Sequence, residues 1–135
     1  MSAALALRAA VRDRLQDDSV LAGLLGGTKI YDEVPREASV PYVVLAAIDS
    51  REAGASRDEG EEHRFTLNIW SDEPGMSQAL SAANQVVTTL DGVNLDVAGH
   101  HVSNLRWLAT EAKRAADGRH RFAALRFRAV TEPFA

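Results

Sequence analysis

The residues best able to bind a metal or move a proton are four histidines, His63, His100, His101 and His120. None stands four residues from another, so no two share a helix face, and no His-Glu-x-x-His run occurs. If His100 and His101 lie in a strand, their rings point to opposite sides. A metal site would need tertiary convergence, and these residues read instead as surface or strand-entry histidines. A second cluster is acidic: Asp58, Glu59, Glu61 and Glu62. Paired carboxylates can run acid–base chemistry or hold a cation, but both need a rigid, dry site. Gly26-Gly27-Thr28-Lys29 has the glycines and lysine of a phosphate loop. It lacks the upstream glycine and follows a helical pattern rather than a strand, so it reads as a helix end and turn. No serine sits in a Gly-x-Ser-x-Gly context, and no cysteine is present. No catalytic residue, metal ligand or cofactor is therefore assigned.

The 135 residues favour one domain spanning 1–135, long enough to bury roughly 65–70% of the surface of the unfolded chain. The net charge of −4 argues against a protein that grips nucleic acid through phosphates. Lysine occurs only at Lys29 and Lys113, and the other basic residues are arginines. That bias suits planar ion pairs at interfaces and equally suits a GC-rich genome. The start shows no signal-peptide pattern, and no apolar run approaches the ~18 residues needed to span a bilayer. A cytoplasmic site of synthesis, without membrane association, is expected.

Residues 2–17 read as a helix capped by Ser2, with Ala4, Leu7, Val11 and Leu15 on one face and Arg8, Arg12 and Gln16 away from it. Ser19 begins a second short turn that Gly26-Gly27 stops. Residues 30–33 suggest a short strand ended by Pro35. Residues 40–49 form a strand apolar on both faces, with Tyr42, Val44, Ala46 and Ile48 opposite Val43, Leu45 and Ala47. Such a strand is covered on both sides, by a core and by something else. Residues 50–62 are small and charged, with no aromatic or β-branched residue. They predict a long mobile loop, either solvated or ordering against a partner. Phe65, Leu67 and Ile69 alternate with polar residues in a strand over 63–71. A helix over 74–91 follows, with Ser71 or Asp72 as cap, Pro74 in its first turn, Gly92 at its end, and a stripe of Met76, Leu80, Ala83, Val87 and Leu90.

Two strands close the chain. Residues 101–111 put Ser103, Leu105, Trp107 and Ala109 on one face against Val102, Asn104, Arg106 and Leu108. Residues 119–131 put Ala123, Leu125, Phe127 and Ala129 against Phe122, Ala124, Arg126 and Arg128. Asp117-Gly118 marks the turn between them. The predicted fold is α+β, a mostly antiparallel four- to five-stranded sheet with two main helices packed on one face. The opposite face would carry Arg64, Trp70, Arg106, Arg126 and Arg128. Arginine with tryptophan is the composition of interface hot spots, and a solvated sheet face is the other reading. If the face is an interface, the acidic loop of a neighbouring copy, with Arg51, Arg57, Asp58, Glu59, Glu61 and Glu62, is its natural partner.

Several segments together resemble the tail-terminator (tail-completion, head–tail joining) proteins of long-tailed phages, in the branch found in prophages and gene transfer agents. They are GLLGGTKIYDEVP at 23–35, PYVVL at 41–45, NIWS at 68–71, GMSQALSAANQVVTTLDG at 75–92 and ADGRHRFAALRFRA at 116–129. The resemblance runs nearly end to end, and its most specific part is KIYDEVP followed by PYV. It implies a homo-oligomeric, hexameric ring that caps the tail-tube protein and offers its other surface to the head connector or stopper. DNA would pass through the lumen without specific binding. It implies no catalytic residue, a mixed sheet with helices on one face, and residence in the cytoplasm and then in the neck of a phage-like particle. Tube and connector contacts transfer by position only: the 50–62 loop and the C-terminal segment with Phe134 are the candidates. Two other readings compete. A small α+β ligand-binding, enzymatic or assembly-chaperone domain would need a concave site with converging polar groups. A weak nucleic-acid binder using the arginine face has the charge and the lack of stacking aromatics against it.

Overall fold

The computed structural model describes residues 2–54, 60–72 and 74–134. Helix α1, Ala3–Gln16, is capped by Ser2, whose hydroxyl accepts from the Leu5 N–H at 3.1 Å. It buries Ala3, Ala6, Leu7, Ala10, Val11 and Leu15, while Ala4 is half-exposed at the margin of that stripe. Helix α2, Ser19–Leu25, is capped by Asp18 rather than Ser19: its Oδ1 accepts from Val20 and Leu21 N–H at 3.0 and 3.1 Å. Asp18 is the better cap because its second oxygen also accepts from Gln85 at 2.9 Å and from the Thr89 hydroxyl, tying α2 to the third helix. Gly26 ends α2 in the left-handed conformation, φ +79°, which settles the GGTK segment as a helix end.

Six strands form one sheet: β1 Ile30–Tyr31, β2 Tyr42–Glu52, β3 Glu61–Ser71, β4 Leu95–Val97, β5 His100–Arg114 and β6 Arg121–Pro133. Their order is β1-β2-β3-β6-β5-β4, with β1 parallel to β2 and every other pair antiparallel. The mixed α+β architecture is as predicted, but among the described residues there are six strands rather than four or five and three helices rather than two main ones. β1 lies within the short strand expected over 30–33 and α2 is the short turn expected from Ser19; the strand not foreseen is β4, whose three residues are too few for a period-2 pattern to register.

Helix α3, Ser77–Leu90, begins three residues later than predicted, and no side chain caps it. Its buried residues are Ala79, Ala82, Ala83, Val86 and Leu90, a face rotated from the predicted one, and Leu80 is 43% exposed. These alanines join one core with Phe65 and Phe127, whose rings stack at 5.5 Å between centres. Three register shifts, one in β2 and two in β5, correct the strand readings. One between Leu45 and Ile48 turns Ile48 to pair with Phe65 on the core side. The other strand, β5, shifts register twice, between Ser103 and Arg106 and between Trp107 and Ala109, with Asn104 at φ +51°. Val102 and Leu105 are therefore both buried, where alternation had placed them on opposite faces. In β6 the alternation holds: Ala123, Leu125, Phe127 and Ala129 join the core with Leu67, Ile69, Val43 and the helices. The 50–62 loop is shorter than predicted, since Ser50–Glu52 and Glu61–Glu62 extend the strands and Arg51 pairs with Glu62.

Candidate functional site

The sheet face turned away from the helices is assembled by register. Arg64 stands opposite Arg128, and Arg128 opposite Arg106; Thr66 stands opposite Arg126; Trp70 stands opposite Phe122. Strand pairing thus brings Arg64, Trp70, Arg106, Arg126 and Arg128 onto one face. Glu62 organises its upper part: its carboxylate accepts from Arg64 at 3.2 Å and from Arg128 at 3.0 Å. Those two bonds hold its pKa below the usual carboxylate range, against a smaller opposing effect of burial. So Glu62, expected in a mobile loop, is a half-buried strand residue that ties two arginines of its own chain. Arg106 lies 3.6 Å from Asp91, and Arg51 pairs with Asp49 at 2.8 Å. Arg126 makes no ion pair among the described residues. Lower on the face, Trp70 stacks on Phe122 at 4.9 Å, and the Lys113 ammonium sits 5.6 Å from the Phe122 ring centre. The Asn68 Oδ1 on this face is buried without a hydrogen-bond partner among the described residues.

Other predicted contacts lie apart. Glu61 opens β3 beside Glu52 and Thr131. Phe134 is 56% exposed past the end of β6, with its N–H donating to Gly99 O at 3.1 Å. Arg57, Asp58 and Glu59 lie outside the described residues.

The sequence reading missed His63, which is fully buried. Its Nδ1 lies 2.6 Å from the Ser50 hydroxyl and its Nε2 2.8 Å from the Thr131 hydroxyl. Ser50 and His63 are within nucleophile–base distance, but a hydroxyl, not a carboxylate, stands behind the ring, and the ring is closed to solvent. Burial lowers its pKa, with Glu61 opposing and His100 adding to the effect. The signal was available: His63 shares its strand parity with Phe65, Leu67 and Ile69. Arg8 was likewise read as facing away, yet it donates to Ala46 O at 2.8 Å, to Leu45 O at 3.0 Å and to Asp32, lacing α1 to the sheet. Among the described residues no three His, Asp or Glu side chains gather as a metal would require. Among them, too, no helix is long and apolar enough to cross a membrane.

The family model described as Tail completion protein gp17 matches residues 9–132. A solved chain from the virion of a native gene transfer agent particle is 34% identical, with a TM-score of 0.90 over 97% of this chain and 98% of that one. A second solved chain, 16% identical with a TM-score of 0.68 over 100% of this chain and 99% of that one, shares the fold. The search of curated proteins finds no match. The chain belongs to the tail completion protein gp17 family and is a structural, non-enzymatic tail protein.

Proposed function

We propose that this chain forms a hexameric ring that ends the tail tube and joins it to the head connector, with DNA passing through the lumen. The observation that carries the reading is the likeness, over nearly the full length of both chains, to a chain of a gene transfer agent virion. The partners are copies of itself, the tail-tube protein and the connector. The protein is made in the cytoplasm and ends in the particle's neck. Its net charge of −4 suits a conduit, because a lumen that bound the passing strand would stall it. Arg126, Trp70 and Phe134, together with Arg57, Asp58 and Glu59, are the side chains proposed to meet neighbours.

Light scattering and negative-stain imaging, with and without tail-tube protein, test this. The expected result is a ring near six times the 14.6 kDa chain mass, seated on tube ends that stop growing. A chain that stays monomeric and leaves tubes uncapped would sink the proposal.

A further inference from the structure

The sheet has two open edges, one at each side of the molecule. On β5, the partner strand β4 covers only His100–Val102. The turn after α3 closes the next stretch: Gly92 N–H donates to Leu105 O at 2.7 Å, and Trp107 N–H donates to the Asp91 carboxylate at 2.8 Å. Residues 108–114 have no outer neighbour among the described residues. On β2, the partner strand β1 covers only Val43 and Val44, and the Arg8 guanidinium takes up the carbonyls of Leu45 and Ala46. Residues 47–52 are open in the same way. Unpaired edges of this length invite another strand.

The edges match. Strand directions alternate from β2 through β3 and β6 to β5, so β5 of one copy beside β2 of the next continues the antiparallel alternation. Each edge also carries an acid and a base two residues apart on the arginine-bearing face. On β2 these are Asp49 and Arg51, paired at 2.8 Å; on β5 they are Glu111 and Lys113, paired at 3.0 Å. Both strands run acid first, base second. Laid antiparallel, Asp49 meets Lys113 and Arg51 meets Glu111; laid parallel, like charges would meet.

That register clears the flanks. Val43 and Val44, where β1 sits, would fall past the end of β5, and Val102, where β4 sits, would fall past the end of β2. Its stagger is also one that closes. Asp49 is level with Arg128 on β6 through Arg64, and Lys113 is level with Phe122. The two levels are about 20 Å apart along the strand, over four strand spacings of about 19 Å. The resulting tilt of roughly 45° is at the upper end of the range for closed barrels. Two different surfaces joined head to tail close into a ring when the rotation permits.

We infer that successive copies join by pairing residues 110–114 of the β5 edge of one with residues 48–52 of the β2 edge of the next, the Asp49–Lys113 and Arg51–Glu111 contacts setting the register. This rests on the ring reading for the presence of copies to join. Because the chain has no cysteine, Arg51→Cys with Glu111→Cys introduces the only thiols. Mild oxidation with copper phenanthroline should give a ladder of covalent oligomers up to the ring's mass, and neither single variant should give one. Asp49→Lys and Lys113→Asp should each weaken self-association roughly five- to tenfold, and combining them should restore it. Rings that form without a ladder and without rescue overturn the edge pairing and leave the ring reading standing. A ladder from a protein that leaves tubes uncapped overturns the tube-ending function and keeps the pairing. Intact rings in the charge variants with lost tube capping would assign the edge to tube protein instead. No assembly under any condition overturns both.

Discussion

His63 and Thr131 join the adjacent central strands β3 and β6: the imidazole Nε2 lies 2.8 Å from the Thr131 hydroxyl, with no solvent access to the ring. With Ser50 on the other nitrogen, each ring atom has a partner, one donating and one accepting. The neutral ring is the form this site holds, and burial pushes its pKa below the ordinary 6.5. The unfolded chain therefore binds more protons as pH falls through about 6.5, and stability falls with it. The contribution is fully present above that value and is lost as pH drops toward the depressed folded value. The melting temperature is expected to decline between about pH 7 and 5, and His63→Gln, which does not titrate, should flatten that part of the profile. An unchanged slope in the variant would assign it to other groups.

Gly60 faces the same end of the sheet. It has φ +94°, and a Cβ there would stand 2.1 Å from the Thr131 carbonyl oxygen, a backbone atom with no room to yield. Gly118, at φ +71°, has open space around it. Gly118→Ala should cost only the left-handed penalty, about 1–2 kcal/mol. Gly60→Ala adds a backbone collision and should lower the melting temperature at least twice as far. Equal losses would mean that the hairpin shifts freely at Gly60.

Much of this was legible in the sequence where side-chain chemistry and backbone period agree. The Ala123, Leu125, Phe127, Ala129 alternation places β6 correctly, and with Phe65, Leu67 and Ile69 it sets the arginines on the opposite face. It failed where the backbone departs from its period. The positive φ at Asn104 and the two bulges of β5 have no marker in SNLRWLA, so the faces there were misassigned. In α3 the stripe chosen by helical spacing shares only Ala83 and Leu90 with the fully buried face, which runs through Ala79, Ala82 and Val86. The open edges could not be seen at all, because they depend on how little of β2 and β5 the two shortest strands cover.

Asp18 joins local and tertiary structure through one carboxylate. One oxygen caps α2 and the other accepts from Gln85 and Thr89 on α3. Burial raises its pKa, but these hydrogen bonds outweigh that and leave it below the ordinary carboxylate value of 3.8. Its stabilisation is thus present above about pH 4 and is lost as pH falls through the depressed folded value. Asp18→Ala should destabilise by about 1–2 kcal/mol at neutral pH, and Asp18→Asn by less, since the amide oxygen still accepts. Denaturant melts of the three proteins check the order; equal midpoints would mean the cap contributes nothing.

Arg126 and Arg128 separate assembly from folding. Arg128 is held by Glu62 at 3.0 Å within its own chain, so Arg128→Glu sets two carboxylates against each other and should lower the melting temperature of the isolated chain. Arg126 is exposed, has no ion pair among the described residues, and stands opposite Thr66 and Ala109. Its reversal leaves the fold's own contacts in place. If the arginine face meets acidic residues of a neighbour, Arg126→Glu should reduce self-association several-fold while the monomer melts normally, and the wild-type association should weaken with added salt. Sedimentation at two salt concentrations reads both effects. Unchanged association in Arg126→Glu would mean that this face is solvated in the assembly and that contacts lie elsewhere.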